Sequence, residues 1–351
     1  NGVLKDTVAV PSISYSTSAQ NSFIIGRSVS ASLPFAGNID EVSLFDSAKA
    51  IEDLWNGSGK PTDLTSESDL VSWWRMGEEA VFNSTNWLLP NKAQDVFSRY
   101  SLDFDGVDDD VSFAPVNSGP LYDIGTGDFT VSIWANATTK ADYGSLIGNW
   151  NTNGLLMWRK ATTNIFECYI GGDGFITSYT IPFDDTWHHY FIKRSGTDVT
   201  VYVDGVSVAT GTSSATLASN SISYIGNQPH NNRRWCGKID EVSIFNSAKT
   251  IGDLWDGTGK PTDLTGESGI VSWWRMGEDA TFSTIWTIPD QIGSNNGAGS
   301  VNMPNDALSG DAPGVTGNGV SDNMTIEDRV GDAPDSSNNA LSYNMDAADI
   351  Q

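Results

Sequence analysis

The densest set of groups able to do chemistry is the acidic run Asp103, Asp105, Asp108, Asp109 and Asp110, carried by LDFDGVDDD with Gly106 at its bend. Calcium takes roughly six to eight oxygens from carboxylates and backbone carbonyls, and a glycine lets a chain wrap tightly around the ion. On this reading Asp105 and Asp108, helped by Asp240 or Glu241, hold one calcium. The commoner use of such a run is a turn whose Asp side chains bond nearby backbone amides. Glycoside hydrolysis needs two carboxyl groups, about 5–5.5 Å apart for retention or about 6.5–9.5 Å apart for inversion. Between residues 100 and 250 the only glutamates are Glu167 and Glu241, on separate predicted strands. Adjacent Asp240 and Glu241 are expected to point to opposite faces of theirs. The same alternation parts His188 from His189, so one packed and one surface histidine are expected beside a structural Trp187. No G-x-S-x-G, H-E-x-x-H or phosphate-cradling loop occurs. His230, in the polar stretch PHNNRRW, carries no signal.

A sugar site needs exposed aromatics beside polar side chains. Trp150 in GNWNTNG, Trp158 in MWRK and Trp235 in NNRRWCG lie near loops and are the candidates, while most of the 13 Trp are expected to serve packing. Asp40-Glu41 and Asp240-Glu241 pose a different problem, because strand alternation sends a carboxylate inward whichever face is buried. A buried charge needs a partner. Arg75 and Arg275, inside the repeated SWWRMGE, are the natural ones, since guanidinium meets carboxylate bidentately. Cys168 and Cys236 are the only cysteines and are read as small buried hydrophobes rather than a bridge.

The elements that must position these groups are β-strands. In FTVSIWA, Phe129, Val131 and Ile133 share one face, and Val199, Val201 and Val203 form a second apolar row. Asp204-Gly205 follows that row as a two-residue hairpin turn. Further β-like runs are separated by turns rich in Gly, Asn, Asp and Thr, as in a sandwich. One short helix is predicted within AKxIxDLW, capped by Ser47 or Ser247 and ended by Gly57 or Gly257.

Residues 38–82 return as 238–282 with 33 of 45 positions identical. A period near 200 residues marks a repeated domain, because such a length encloses a whole core. The sequence therefore divides into residues 1–65, the back part of one unit; 66–262, a complete unit; and 263–351, a strand or linker followed by a tail. Residues 290–351 hold ten acids and one base, with Asn-Met recurring at 302, 323 and 344 and GDAP at 310 and 331. Low hydrophobicity suggests disorder there, and the fixed period suggests docking with equal force.

LDFDGVDDDVSF, FTVSIWA, WHHYFIKRSGTDVTVYVDGVSV and GKIDEVSIFNSAKT together resemble the concanavalin A-like, laminin-G-type jelly roll. The resemblance covers about 190 residues and implies an all-β, antiparallel two-sheet sandwich in tandem. It also implies that DLVSWWRMGE opens the second unit and that SGIVSWWRMGE (268–278) opens a third; the alternative makes the latter the closing strand of the second. Glucanases of this fold carry an E-x-D-x-x-E run that is absent between residues 100 and 250, which argues against an enzyme. Related lectins can hold calcium in an acidic loop near the sugar rim.

The chain carries 44 acidic and 19 basic side chains, a formal charge of −25. That balance opposes nucleic acid and anionic membrane, which select clustered Lys and Arg, and no apolar run is long enough to span a bilayer. Acidic tandem units with SWWRMGE linkers and Asn-Met tails resemble structural proteins of marine tailed bacteriophages. The resemblance implies a non-enzymatic module at a virion surface or outside a cell, binding glycans or a host surface beside other virion proteins or copies of itself. A secreted bacterial adhesin or matrix protein is the alternative, and a glycoside hydrolase a distant third.

Overall fold

The structure is a computed structural model that describes most of residues 39–89 and 98–314, together with Ile25, Phe35 and the backbone of three short strands between 319 and 341. The chain forms two compact units, Asn1–Ala80 with Leu89–Asp95, and Val81–Leu88 with Val96–Gln351. In the first, strand β1 (Val42–Phe45) is followed by a one-turn helix α1 (Ile51–Leu54) and pairs antiparallel with β2 (Leu70–Trp74). Residues 1–38 lie outside the described residues, Ile25 and Phe35 apart.

The second unit opens on a small hairpin, β3 (Val81–Phe82) with β4 (Trp87–Leu89). Its sandwich begins with β5 (Ser101–Asp105), β6 (Val111–Ala114), β7 (Phe129–Ala137), β8 (Gly144–Gly148), β9 (Leu155–Arg159) and β10 (Ile165–Ile170). It continues with β11 (Asp173–Thr180), β12 (His188–Ser195), β13 (Asp198–Val203), β14 (Val206–Thr212), β15 (Ser223–Ile225) and β16 (Cys236–Phe245). After helix α2 (Ile251–Leu254) come β17 (Ile270–Trp274), β18 (Thr281–Phe282), β19 (Trp286–Ile288), β20 (Gly297–Gly299) and β21 (Leu308–Ser309). The backbone of β22 (Gly319–Ser321), β23 (Thr325–Asp328) and β24 (Asp335–Leu341) follows, β23 pairing β24.

Two antiparallel sheets face each other as a jelly roll. One has nine strands in the order β11-β10-β9-β8-β15-β6-β20-β19-β18; the other runs β14-β13-β12-β7-β16-β5-β21, with β17 also on β16. The expected apolar rows lie between them: Phe129, Val131, Ile133, Val199, Val201 and Val203 are all at most 2 % exposed. Each contributes about 1.5–3 kcal/mol of hydrophobic stabilisation as an upper range. Asp204 and Gly205 both take positive φ, 47° and 76°, as a two-residue turn between β13 and β14 demands. A second, smaller apolar cluster covers the outer side of β12 and β16, where Phe191, Phe245 and Trp273 meet Leu254 of α2 and Leu264. That cover explains why Thr130, Ser132 and Trp134, on the other face of β7, are buried too. The cap of α2 falls at Thr250 rather than Ser247; the Asp253 carboxylate accepts its N–H at 2.8 Å.

Three expectations about boundaries change. Ile270–Trp274 pairs with β16, with Trp273 opposite Ser243, so SWWRMGE closes the second unit instead of opening a third. Its first copy does the same, Trp73 opposite Ser43, and so Leu70–Trp74 belongs with the first unit. Nor does the sandwich end at residue 262: β20 pairs with β6, and β21 with β5. Opening and closing strands share one apolar pattern, and only their distant partners tell them apart. The start of the tail is ordered for the same reason. Ser300 donates from its N–H to the Asp110 carbonyl and from its hydroxyl to the Asp108 carbonyl, at 2.8 and 2.9 Å. Met303 and Ala312 are 1 % and 0 % exposed. The side chains of Met324 and Met345 lie outside the described residues. No helix among the described residues is long and apolar enough to cross a membrane.

Candidate functional site

Strands β9 and β10 turn Leu155, Met157, Phe166, Cys168 and Ile170 to the core, which leaves Leu156, Trp158, Glu167 and Tyr169 on the outer face of the nine-stranded sheet. Register sets Trp158 opposite Glu167 and Leu156 opposite Tyr169. The rings then form a series. Trp150 meets Tyr169 edge-on at 5.3 Å between centroids, Tyr169 meets Trp158 at 5.9 Å, and Trp158 stacks with Tyr143 at 4.8 Å. The Arg233 guanidinium caps the series, 4.0 Å from the centroid of Tyr143 and 4.5 Å from that of Trp158. Gly174, opposite Tyr169, makes room for it: a Cβ there would come within 2.9 Å of the phenol ring. Tyr143, Trp150, Tyr169 and Arg233 are half-buried and Trp158 lies beneath them, while Ile176 on β11 extends the face as an exposed apolar residue.

Glu167 is the only carboxylate within this ring series. It is 1 % exposed and accepts from the Trp158 indole at 3.2 Å, Lys160 at 3.1 Å and the Tyr169 hydroxyl at 3.3 Å. Its hydrogen-bonding capacity goes to holding the rings in place. Burial and the Glu167 charge push the Tyr169 phenol up, so it remains a donor. The hydrogen bond from Lys160 to Glu167 raises the ammonium's pKa.

Of the three tryptophans expected to meet sugar, Trp150 and Trp158 fall in this series. Trp235 does not: it is 1 % exposed and part of the core between the sheets. Its polar neighbours Asn232, Arg233 and Arg234 suggested a loop, but β16 begins at the next residue and draws the indole inward.

The expected calcium set also separates. Asp105, Asp108 and Asp109 bring carboxylate oxygens within 4.8 Å of one another, and Asp240 and Glu241 form a second trio with Glu278. Strand β16 pairs Cys236 with Asp105, which sets Asp240 four residues further along the sheet. In the first trio, Asp105 accepts from the amides of Val107 and Asp108 at 2.6 and 3.2 Å, and Asp109 accepts from Asp105 at 2.9 Å through Oδ2. Those are the bonds of a turn. The other oxygen of Asp109 is buried without a hydrogen-bond partner, and burial lifts this carboxyl to about 6.

The second trio corrects the expectation that Asp240 and Glu241 diverge. Glu241 takes φ 46° and forms a bulge between Asp240 and Ser243, so the alternation of the strand breaks at that residue. Its carboxylate accepts from the Trp273 indole at 2.6 Å and from Arg275 at 3.1 Å. The first copy repeats the clasp: Glu41 at φ 51° accepts from Trp73 at 2.6 Å and Arg75 at 3.0 Å. Arg75 and Arg275 are the cations of the two clasps. Trp187 donates to Asp311 at 3.0 Å. His189 is buried against Ser132 at 2.6 Å, His188 turns to Asp204 at 2.6 Å, and both cysteines are free.

Residues 105–253 match the Laminin_G_3 family, the concanavalin A-like lectin/glucanases superfamily. No curated protein matches the chain. Among solved structures, a candidate carbohydrate-binding protein from Bacteroides ovatus is 16 % identical over 69 % of this chain, with a TM-score of 0.45. The SAP-like pentraxin of Limulus polyphemus is 14 % identical and covers 43 % of this chain and 78 % of its own, with a TM-score of 0.34. The CBM40 module of Ruminococcus gnavus IT-sialidase is 8 % identical and covers 44 % and 95 %, with a TM-score of 0.36. The present chain spans 62 % of the length of the Bacteroides protein. Within residues 105–253, Tyr143, Glu167, Tyr169 and Arg233 were not among the residues singled out for a sugar site. Alternation in IFECYI does put Glu167 and Tyr169 on one face, but their meeting with Trp158 depends on strand register.

Proposed function

We propose that the laminin G-type unit is a non-enzymatic glycan-binding module whose ligand lies on the ring series of the nine-stranded sheet. The carrying observation is the row Trp150, Tyr169, Trp158 and Tyr143, backed by a buried carboxylate that accepts from Trp158, Tyr169 and Lys160. Sugar rings present apolar C–H faces that suit aromatic surfaces of limited mobility. Display at a virion surface, beside other virion proteins or copies of the same chain, is the setting we favour; the acidic composition and the repeat of residues 38–82 at 238–282 support it. Glycan-array binding of the full chain tests the core of the reading. Trp150→Ala with Tyr169→Ala should abolish array binding while the variant still melts cooperatively, and an unchanged array profile would refute it. Presence of the protein in purified particles tests the setting.

The turn at 105–109 is the proposed calcium seat, now composed of Asp105, Asp108 and Asp109. The oxygen-only donor set fits a hard cation, and the unpartnered Asp109 oxygen is the group that an ion would satisfy.

A further inference from the structure

Arg233 is an anomaly in a chain with 44 acidic side chains. Each neighbouring charge already has a partner. Lys160 pairs with Glu167 at 3.1 Å, Arg234 with Asp110 at 3.2 Å, and Asp142 turns its carboxylate to the amide of Tyr143 at 2.7 Å. For the Arg233 guanidinium, among the described residues, only the faces of Tyr143 and Trp158 are in contact. No hydrogen bond from its N–H donors is made to a described residue, and those donors form the planar fork that receives a carboxylate or a sulfate. At physiological salt, charges beyond about 8 Å are screened, so the overall acidity of the chain does not cancel this local cation.

We propose that the ligand of this face is an acidic glycan. Its carboxylate or sulfate ester is received by Arg233, while a neighbouring sugar ring stacks on Tyr143 and the half-buried rings of Tyr169 and Trp150. This inference rests on the glycan-binding reading above and adds the charge of the ligand to it. Both anions offer the same paired oxygens, and the source is decided by comparison of the two.

The test is calorimetric titration of the full chain, in about 150 mM salt, with three galactose-based oligosaccharides of equal length: neutral, uronic acid-containing and sulfated. At least one acidic sugar should bind about tenfold or more tightly than the neutral one, the usual scale for a charge-assisted pair. Arg233→Gln should bring it to the neutral level, and Arg233→Lys should fall between, since it keeps charge without the fork. Tyr169→Ala should weaken neutral and acidic sugars alike. Equal affinity for all three, or a preference unchanged in Arg233→Gln, overturns the inference and leaves the glycan reading standing. Failure of all three sugars to bind the unmodified chain overturns both. Melting curves of each variant separate loss of contact from loss of fold, and Arg233→Lys decides the matter if the glutamine variant unfolds.

Discussion

Replacing Asp240 by asparagine should stabilise the protein, and increasingly so as pH rises above the ordinary carboxylate range. Asp240 is 0 % exposed and Glu241 3 % exposed, and their oxygens lie within 4.8 Å of each other and of Glu278. Burial, then the charges of Glu278 and Glu241, hold the Asp240 carboxyl well above the usual range. Burial lifts Glu241 to about 7 against the pull of Arg275. A carboxyl whose folded pKa exceeds its unfolded pKa is protonated in the fold while the unfolded chain is ionised. Its stability contribution is full below the unfolded pKa, 3.8 for Asp240 and 4.5 for Glu241, and is lost as pH rises toward the folded one. For Glu241, a rise from 4.5 to about 7 corresponds to about 3 kcal/mol at about 1.4 kcal/mol per unit. Asparagine at 240 mimics the protonated acid and still accepts the Glu241 amide, which bonds Asp240 Oδ1 at 2.8 Å. Urea unfolding should therefore show a gain for the variant that is small near pH 4 and grows to about 1–3 kcal/mol at pH 8. His188, raised by Asp204 and Asp184 against its own burial, titrates in the same direction, so the comparison belongs in a His188→Gln background. An equal loss at both pH values, or a wild-type stability that rises from pH 5 to pH 8, would refute the reasoning.

Three further outcomes are expected. Trp273→Phe removes the indole donor from a carboxylate 3 % exposed and should cost about 1.5–3 kcal/mol in urea unfolding; Trp73→Phe should cost less, since Glu41 is 15 % exposed. Met303→Ala should lower stability by about 2–5 kcal/mol, the range for a fully buried methionine, if the first tail repeat is truly part of the core. Calcium at tenfold its Kd should stabilise the chain by about 1.4 kcal/mol, a few degrees in Tm, and Asp109→Asn should remove the shift; calorimetry showing no heat would leave the turn without an ion.

The apolar rows of β7 and β13 were legible because alternation is a local property, and so was the turn at Asp204-Gly205, whose residue types suit positive φ. The bulge at Glu241 was not. Glutamate carries no signal for φ 46°, so period-two alternation cannot place its carboxylate beside Arg275. Trp150 and Trp158 were singled out from loop-like neighbours, and the same cue misled for Trp235, whose burial depends on where β16 starts. Arg233 and Tyr143 join the site only through register and a loop approach, which leave no trace in a single sequence. The closing role of Ile270–Trp274 shows only in its pairing with β16, which no local pattern records, while the family pattern favours an opening strand.

The pairing of β20 with β6 and of β21 with β5 bears on how the protein is made. During synthesis, strands near residue 105 gain β15 and β16 first and must wait for residues 297–309 before their second sheet neighbours exist. At about 5–20 residues per second, the ribosome needs on the order of ten seconds or more to supply them. Throughout that interval both sheets carry open edges of the kind that recruit strands from other chains. Closure late in translation, and not assembly strand by strand, sets the period in which a nascent copy is vulnerable to its neighbours on the same message.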